Sequence, residues 1–386
     1  MKIRAITIGG EQQVTLDVQA ITTGARLATQ LSKAYEDEGI SVQTVRFATQ
    51  PFPQYLGDCS EKALLRFARE IQQCCRDHGI DYCSLGPVDP YDPREMPFLA
   101  YLPRLIAETE TVFTSAVLGE SARPVSVKVA QAIAQVISQI AQATENGFGN
   151  LRFAGLVNCP PHIPFFPAAF HRGAPAFAIA LEAADVIAAA CQPGLDFTEL
   201  RLRLRQEIET QVQPVQEVAT RFALPQFRYL GIDLSPAPGP DRAVSIAYAL
   251  ERLGLGRFGE PGTLAAAAAV TAALRETSLL TCGYCGLMLP VLEDAGLAER
   301  NNQGLLRLSS LLAYSAVCGT GLDTIPLPGD VSEEQLTAIL LDVAALGGKL
   351  NKPLSARLFP IPGKHAGEQT EFSFSYFVNT RVMPIE

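Results

Sequence analysis

The chain has 386 residues, 48% of them hydrophobic, and a formal net charge of −9. That supplies a sizeable core, enough for two or three ordinary domains or one large α/β body, and it excludes both a disordered chain and the broad electropositive face that a nucleic acid backbone requires. Nine cysteines cannot all pair with one another, and MKIRAITIGG opens as a strand and turn rather than a cleavable apolar segment, so the expected setting is the reducing cytoplasm.

In chain order, residues 2–8 read as a short strand ending at Gly9-Gly10. Residues 18–38 read as a helix with apolar positions every three and four residues, and 41–47 as an alternating strand. The order repeats: helix over 60–78, strand over 82–87, helix over 95–110, strand over 111–115. A long amphipathic helix over 125–145 is stopped by Gly147-Phe148-Gly149-Asn150 ahead of a strand at 153–158. The alanine-rich run 177–190 is broken by Glu182 and Asp185, too short and interrupted to span a bilayer, so no membrane partner is expected. A helix over 195–224, a strand over 227–234 and helical stretches at 245–253 and 262–274 follow; 311–317, 333–345 and 372–377 keep the alternation. Alternation of this kind predicts mostly parallel strands with helices on their faces, in one domain covering 1–386, with ligands bound by loops at the carboxyl ends of strands.

Several stretches concentrate reactive side chains. In Asn158-Cys159-Pro160-Pro161-His162-Ile163-Pro164-Phe165-Phe166-Pro167, the prolines stiffen a loop able to hold Asn158, Cys159 and His162 in place while Phe165 and Phe166 exclude water. His162 is a candidate acid or base there, against the plainer reading of a rigid aromatic loop that closes one end of the domain. TCGYCGLMLP, at 281–290, has the CxxC spacing of half a zinc or iron–sulfur site, of a redox pair, or of a Gly-rich packed turn. No second CxxC and no small βαβ module accompany it, so no metal ligand set is assigned, and Cys285 stands as the better candidate thiol. In the run 318–330, Gly319 and Gly321 suit a close backbone approach to a ligand, Cys318 is an alternative thiol, and Asp323 a polar contact. Asp330, with Glu333 three residues on, reads as the N-cap of the next helix. Lys352 and Arg357 offer charged donors to a carboxylate or phosphate, although 347–360 lacks the spacing of a phosphate loop and no motif names a cofactor. Asp233 and Ser235 fit either the ligand end of a strand or a turn. Cys59, Cys74, Cys75, Cys83 and Cys191 read as small buried hydrophobes.

The strings FAGLVNCPPHIPFFPAAF, CGYCGLMLPVLED and CGTGLDTIPLPGD, in this order and at these separations, resemble the DUF711 (UPF0210) family of uncharacterised proteins over most of the chain. The resemblance implies the fold of the pyruvate formate-lyase and ribonucleotide-reductase large-subunit superfamily, a ten-stranded α/β barrel formed by two antiparallel halves, with an interior or end-on pocket. It transmits no reaction. The closing residues FVNTRVMPIE contain no glycine to carry a radical, so glycyl-radical chemistry is not expected. The functional expectation is an enzyme acting on a small polar or anionic metabolite, a homodimer by base rate. In it Asn158 and His162 orient the ligand or exchange protons, Cys285 or Cys318 supplies a thiol, and Asp323, Arg357 and Lys352 hold charged groups. The alternatives are a non-catalytic metabolite-binding or regulatory oligomer, and a structural metalloprotein built on Cys282 and Cys285.

Overall fold

Strand β1 (Lys2–Gly9) shows how the two faces of the sheet are set by side-chain size. Ile3, Ile6 and Ile8 join the large core between strands and helices, while Ala5, Thr7 and Gly9 turn to the other face. A register shift between Ile3 and Ala5 lets Arg4 break the alternation. The computed structural model describes residues 1–57, 60–223 and 225–385, so Cys59 and Leu224, the last position of the predicted helix 195–224, lie outside it.

β1, β2 (Val45–Ala48), β3 (Tyr82–Val88), β4 (Val112–Gly119) and β5 (Phe153–Val157) run parallel in that spatial order. On the β1 side the sheet continues antiparallel into β6 (Ala176–Glu182) and then β7 (Arg228–Ala237), which is parallel to β6. On the β5 side it continues antiparallel into β9 (Leu354–Ile361), then β8 (Gly321–Pro328), parallel to β9. The result is one nine-stranded mixed sheet with order β7-β6-β1-β2-β3-β4-β5-β9-β8. It is an open sheet of nine strands, not the closed ring of ten that the resemblance implied, because β7 and β8 do not pair with each other. One segment nonetheless touches both edges: Thr281 bridges Ile232 of β7, and Pro290 bridges Asp323 of β8, both in the parallel sense.

The connecting helices begin on side-chain caps: Asp17, Ser60, Ser126, Asp196 and Ser332 each accept a hydrogen bond from a first-turn N–H. The cap of the helix Glu333–Leu350 is therefore Ser332, reciprocated by Gln335, and not Asp330, which instead lies 3.0 Å from His365 Nδ1. Three strands occupy stretches that the sequence reads otherwise. β6 lies in the alanine-rich run, and it is buried on both faces, which removes the alternation that would mark it. β8 and β9 replace the expected polar loops; Pro326 and Pro328 are tolerated because β8 is an edge strand. Among the described residues no helix is long and apolar enough to cross a membrane.

The loop joining β5 to β6 does not lie outside the sheet. Ile163, Phe165 and Ala168 pack with Ala5, Ala154, Leu156, Ala180 and Ala237, and Phe166 and Ala169 with Ala48 and Phe113. The loop thus rests against one common face of β1, β2, β4, β5, β6 and β7. Thr7 Oγ1 donates to Pro164 O (2.8 Å) and Ser84 Oγ to Ala169 O (2.7 Å), satisfying carbonyls that have no water to turn to. A Cβ at Gly9 would come within 2.3 Å of His171 Nδ1, so only glycine fits that inner position. Replacing Thr7 by valine keeps the shape and orphans the Pro164 carbonyl. The expected result is a loss of about 1–3 kcal/mol in urea unfolding, with Thr7→Ser near wild type.

Candidate functional site

Where β1 to β4 begin, the inner face changes from small to large and polar. Arg4, Arg46, Tyr82 and Phe113 stand there opposite Ala237, Asp323 and Arg357 of β7, β8 and β9, around a cavity of about 90 Å³. At roughly 30 Å³ per water that is room for about three waters, or for a ligand of comparable size. Phe165 and Phe166, at the tip of the inserted loop, line it, as do Phe374 and Tyr376 of the C-terminal segment.

One wall is a chain of alternating charges. Arg357 donates through Nε to Asp323 (2.6 Å) and through an Nη to Glu293 (2.8 Å). Glu293 also accepts from Arg4 (3.0 Å); Arg4 reaches Glu182 at 3.4 Å, and Glu182 meets the more exposed Lys2 at 2.9 Å. Burial pulls the Arg357 guanidinium down, but the charges and hydrogen bonds of Asp323 and Glu293 together outweigh it and hold the group above its ordinary value. Arg357 and Asp323 are thus satisfied by protein partners before any ligand arrives.

Arg46 differs. It is 8% exposed, its Nε donates to Thr44 Oγ1 at 3.0 Å, and its guanidinium carbon sits 5.3 Å from the Phe166 ring centre and 5.7 Å from that of Tyr82. Its terminal nitrogens have no hydrogen-bond or ion-pair partner among the described residues. Burial, helped by the charge of Arg4, brings it down to about 9, which leaves it cationic at neutral pH. The cavity therefore holds a buried, positively charged fork, flanked by aromatic rings and open to whatever enters.

The candidate residues named from sequence fall into separate places. Asp323 and Arg357 line this cavity, on strands rather than loops. Asn158 braces backbone: its Oδ1 accepts from Ser121 N (2.7 Å) and its Nδ2 donates to Gly347 O (2.9 Å). His162 lines a small gap beside Thr7, Gly9 and Ala48, edge-on to His171. Burial, then the neighbouring charges of His171 and Arg228, lower it to about 4. Lys352 Nζ donates to the carbonyls of Ser315, Ala316 and Cys318 at the end of the helix Leu308–Ser315, which leaves it no free donor for an anion. Gly319 packs against Gly286, where a Cβ would come within 2.7 Å of that backbone; Gly321, at φ +92°, lies over Ser355 O.

The CxxC turn is built around a buried carboxylate. Asp233 accepts from the backbone N–H groups of Ser235 (3.0 Å), Tyr284 (2.8 Å) and Cys285 (3.0 Å), and a Cβ on Gly283 would come within 2.1 Å of its Oδ2. Cys285 Sγ donates to Cys282 O at 3.2 Å. Burial pushes the thiols of Cys159, Cys285 and Cys318 up to about 12 and that of Cys282 well above its usual range, so none is a thiolate at neutral pH. Cys282 and Cys285 are free thiols, and among the described residues no three His, Cys, Asp or Glu side chains are grouped to hold a metal ion.

Arg46, Arg4 and Glu293 line the cavity without having been singled out from sequence; Thr320 and Tyr284, which also line it, lie in the stretches 318–330 and 281–290 already noted. One signal was present: in SVQTVRF the alternation puts Arg46 in line with Thr44 and Val42, on the face where a covered strand would carry an apolar residue.

A family model described as Uncharacterised ACR (DUF711) matches residues 1–373. A UPF0210 protein of Listeria monocytogenes is 29% identical over 100% of this chain and 91% of its own length. Similar matches are to UPF0210 proteins of Leuconostoc mesenteroides (27% identical, 98% of this chain, 88% of the relative) and Bifidobacterium adolescentis (28%, 91% and 82%).

None of these names carries an activity, so the placement of the cysteines has to be tested physically. Asp233→Ala should leave the N–H groups of Ser235, Tyr284 and Cys285 without an acceptor and cost about 3 kcal/mol or more in urea unfolding. Labelling of Cys282 and Cys285 by a disulfide reagent near pH 7.5 should be slow in the native protein and much faster in that variant. Fast native labelling would contradict the packed-turn account.

Proposed function

This chain belongs to the DUF711 (UPF0210) family of uncharacterised proteins, and on that footing we propose that it is an enzyme that takes a compact, carboxylate-bearing metabolite into the central cavity, with Arg46 as the anion-holding residue. The observation that carries the reading is the unmatched Arg46 guanidinium. A buried charge without a partner is destabilising by several kcal/mol, and every other buried charged side chain on this cavity has an ion-pair partner at 2.6–3.0 Å. A ligand carboxylate supplies the missing partner in the fork geometry that a guanidinium prefers. The small volume favours a short acid over a phosphorylated or nucleotide ligand.

The enzymatic part of the reading rests on polar groups fixed around the cavity. The Arg357 pair of carboxylates and the Tyr284 phenol are in place before the ligand, which is the condition for electrostatic preorganisation. Burial, followed by the nearby Cys159 thiol 3.5 Å away, drives the Tyr284 phenol well above its ordinary range, so it is a protonated donor at neutral pH. We further infer that 281–290 stands in the position of a tenth strand. In support of this, β6, β7, 281–290, β8 and β9 would make a second set of five beside β1 to β5, joined to it antiparallel at β1/β6 and β5/β9.

Titration calorimetry against a panel of two- to six-carbon mono- and dicarboxylates is expected to find at least one binder. Arg46→Met should weaken it by at least about 30-fold, the lower end for losing one member of a buried charged pair. Folding stability of that variant should be unchanged or higher, because an unpaired buried charge is removed. Since the free guanidinium titrates at about 9, affinity should hold from neutrality to about pH 8 and fall about tenfold per unit above 9. Candidate binders are then followed by proton NMR for conversion. No binding across the panel would overturn the proposal.

A further inference from the structure

A second unmatched polar group lines the cavity. Thr320 is 2% exposed, and its Oγ1 is buried with no hydrogen-bond partner. The other buried polar side chains of the wall are already engaged. Ser355 Oγ donates to Thr320 O (2.9 Å), Asp323 and Glu293 hold Arg357, and the Tyr284 phenol lies against Cys159. The Thr320 backbone is fixed: its carbonyl accepts from Ser355 N (2.8 Å) as well as from the Ser355 hydroxyl, and the next residue, Gly321, is held at φ +92° against Ser355 O.

A buried hydroxyl left unpaired is unfavourable, and native proteins pair nearly all such groups with protein, water or ligand. Thr320 lines the same small cavity as the unmatched Arg46. We propose, building on the Arg46 reading, that the ligand is a short hydroxycarboxylate, its carboxylate on Arg46 and its hydroxyl on Thr320, and that Thr320 is the specificity-determining residue. Two hydroxyls suit each other because each both donates and accepts. A ligand ammonium is not called for, since the carboxylates of Asp323 and Glu293 are neutralised by Arg357 and Arg4. A site with a buried hydroxyl discriminates strongly against an analogue that leaves it unpaired, whereas an added methylene is discriminated only weakly.

The test is calorimetric binding of lactate and 3-hydroxybutanoate against their deoxy counterparts propanoate and butanoate, with alanine as the ammonium analogue, on the full chain and on Thr320→Val, Thr320→Ser and Arg46→Met. One hydroxy acid should bind at least tenfold more tightly than its deoxy counterpart and than alanine. Thr320→Val should reduce that preference to threefold or less while leaving the deoxy acid's affinity and the melting temperature undiminished, and Thr320→Ser should restore it. Arg46→Met should abolish binding of hydroxy and deoxy acids alike. Equal affinity for hydroxy and deoxy acids, tighter binding of alanine, or a preference that survives Thr320→Val would overturn the Thr320 assignment and leave Arg46 standing. Failure of all these acids and of the wider carboxylate panel would overturn both.

Discussion

The inner faces of β1, β2, β5 and β6 carry Ala5, Ala48, Ala154, Ala178 and Ala180, and that lack of bulk is what allows the β5–β6 loop to lie against them. A sheet face lined by such small side chains must be covered by something. Large side chains on each strand would do it, but they would also leave no place for a ligand. Here the chain fills most of the space with its own backbone and pays for that with hydroxyl donors, Thr7 and Ser84, aimed at the loop carbonyls. The same loop ends in Phe165 and Phe166, so the residues that solve the packing problem also form part of the cavity wall. The position and aromatic flanking of Arg46 follow from that arrangement.

The polar interior divides into groups that answer one another and groups that do not. The alternation Glu182, Arg4, Glu293, Arg357, Asp323 links β6, β1, the segment after Pro290, β9 and β8. Ladders of this kind add little net stability over an apolar replacement, because desolvation offsets the attraction. What they do fix is registration: each guanidinium has one carboxylate at each hand, so the strands that carry them are held at one offset. Against that background Arg46 and Thr320 stand out as groups for which the chain itself provides no answer.

Much of the α/β alternation was legible. Helices and the first five strands follow from apolar periodicity and from caps such as Asp17 and Ser60, since local pattern and tertiary burial agree there. The strands that were missed are those where burial on both faces erases the pattern, as in β6, or where proline and charge disguise a strand as a loop, as in β8 and β9. The candidate site was only partly legible for a related reason. Sequence reading looks for reactive side chains in flexible, Gly- and Pro-rich stretches, which brought forward His162, Cys285 and Lys352. In the fold those groups serve packing, a carboxylate clamp and a helix end. Arg46 and the unpaired Thr320 hydroxyl draw attention only once the partners of their neighbours are known, and a pairing such as Arg4 with Glu293, 289 positions apart, is not a local property.

The path by which the chain assembles is constrained by the segment that bridges both β7 and β8. Thr281 and Pro290 bridge to the two edge strands, and Tyr284 and Met288 between them pack with Ile163 and Phe165 of the β5–β6 loop. If 281–290 stands as the tenth strand inferred above, the loop has to be laid inside before that segment docks on both edges. A chain made from its N-terminus meets this requirement without any search, because all five parallel strands and the loop have left the ribosome before the bridging segment has been translated. Refolding from the full-length unfolded chain has no such ordering, and early docking of 281–290 on either edge would shut the loop out. On that reading, the order of synthesis itself does the threading.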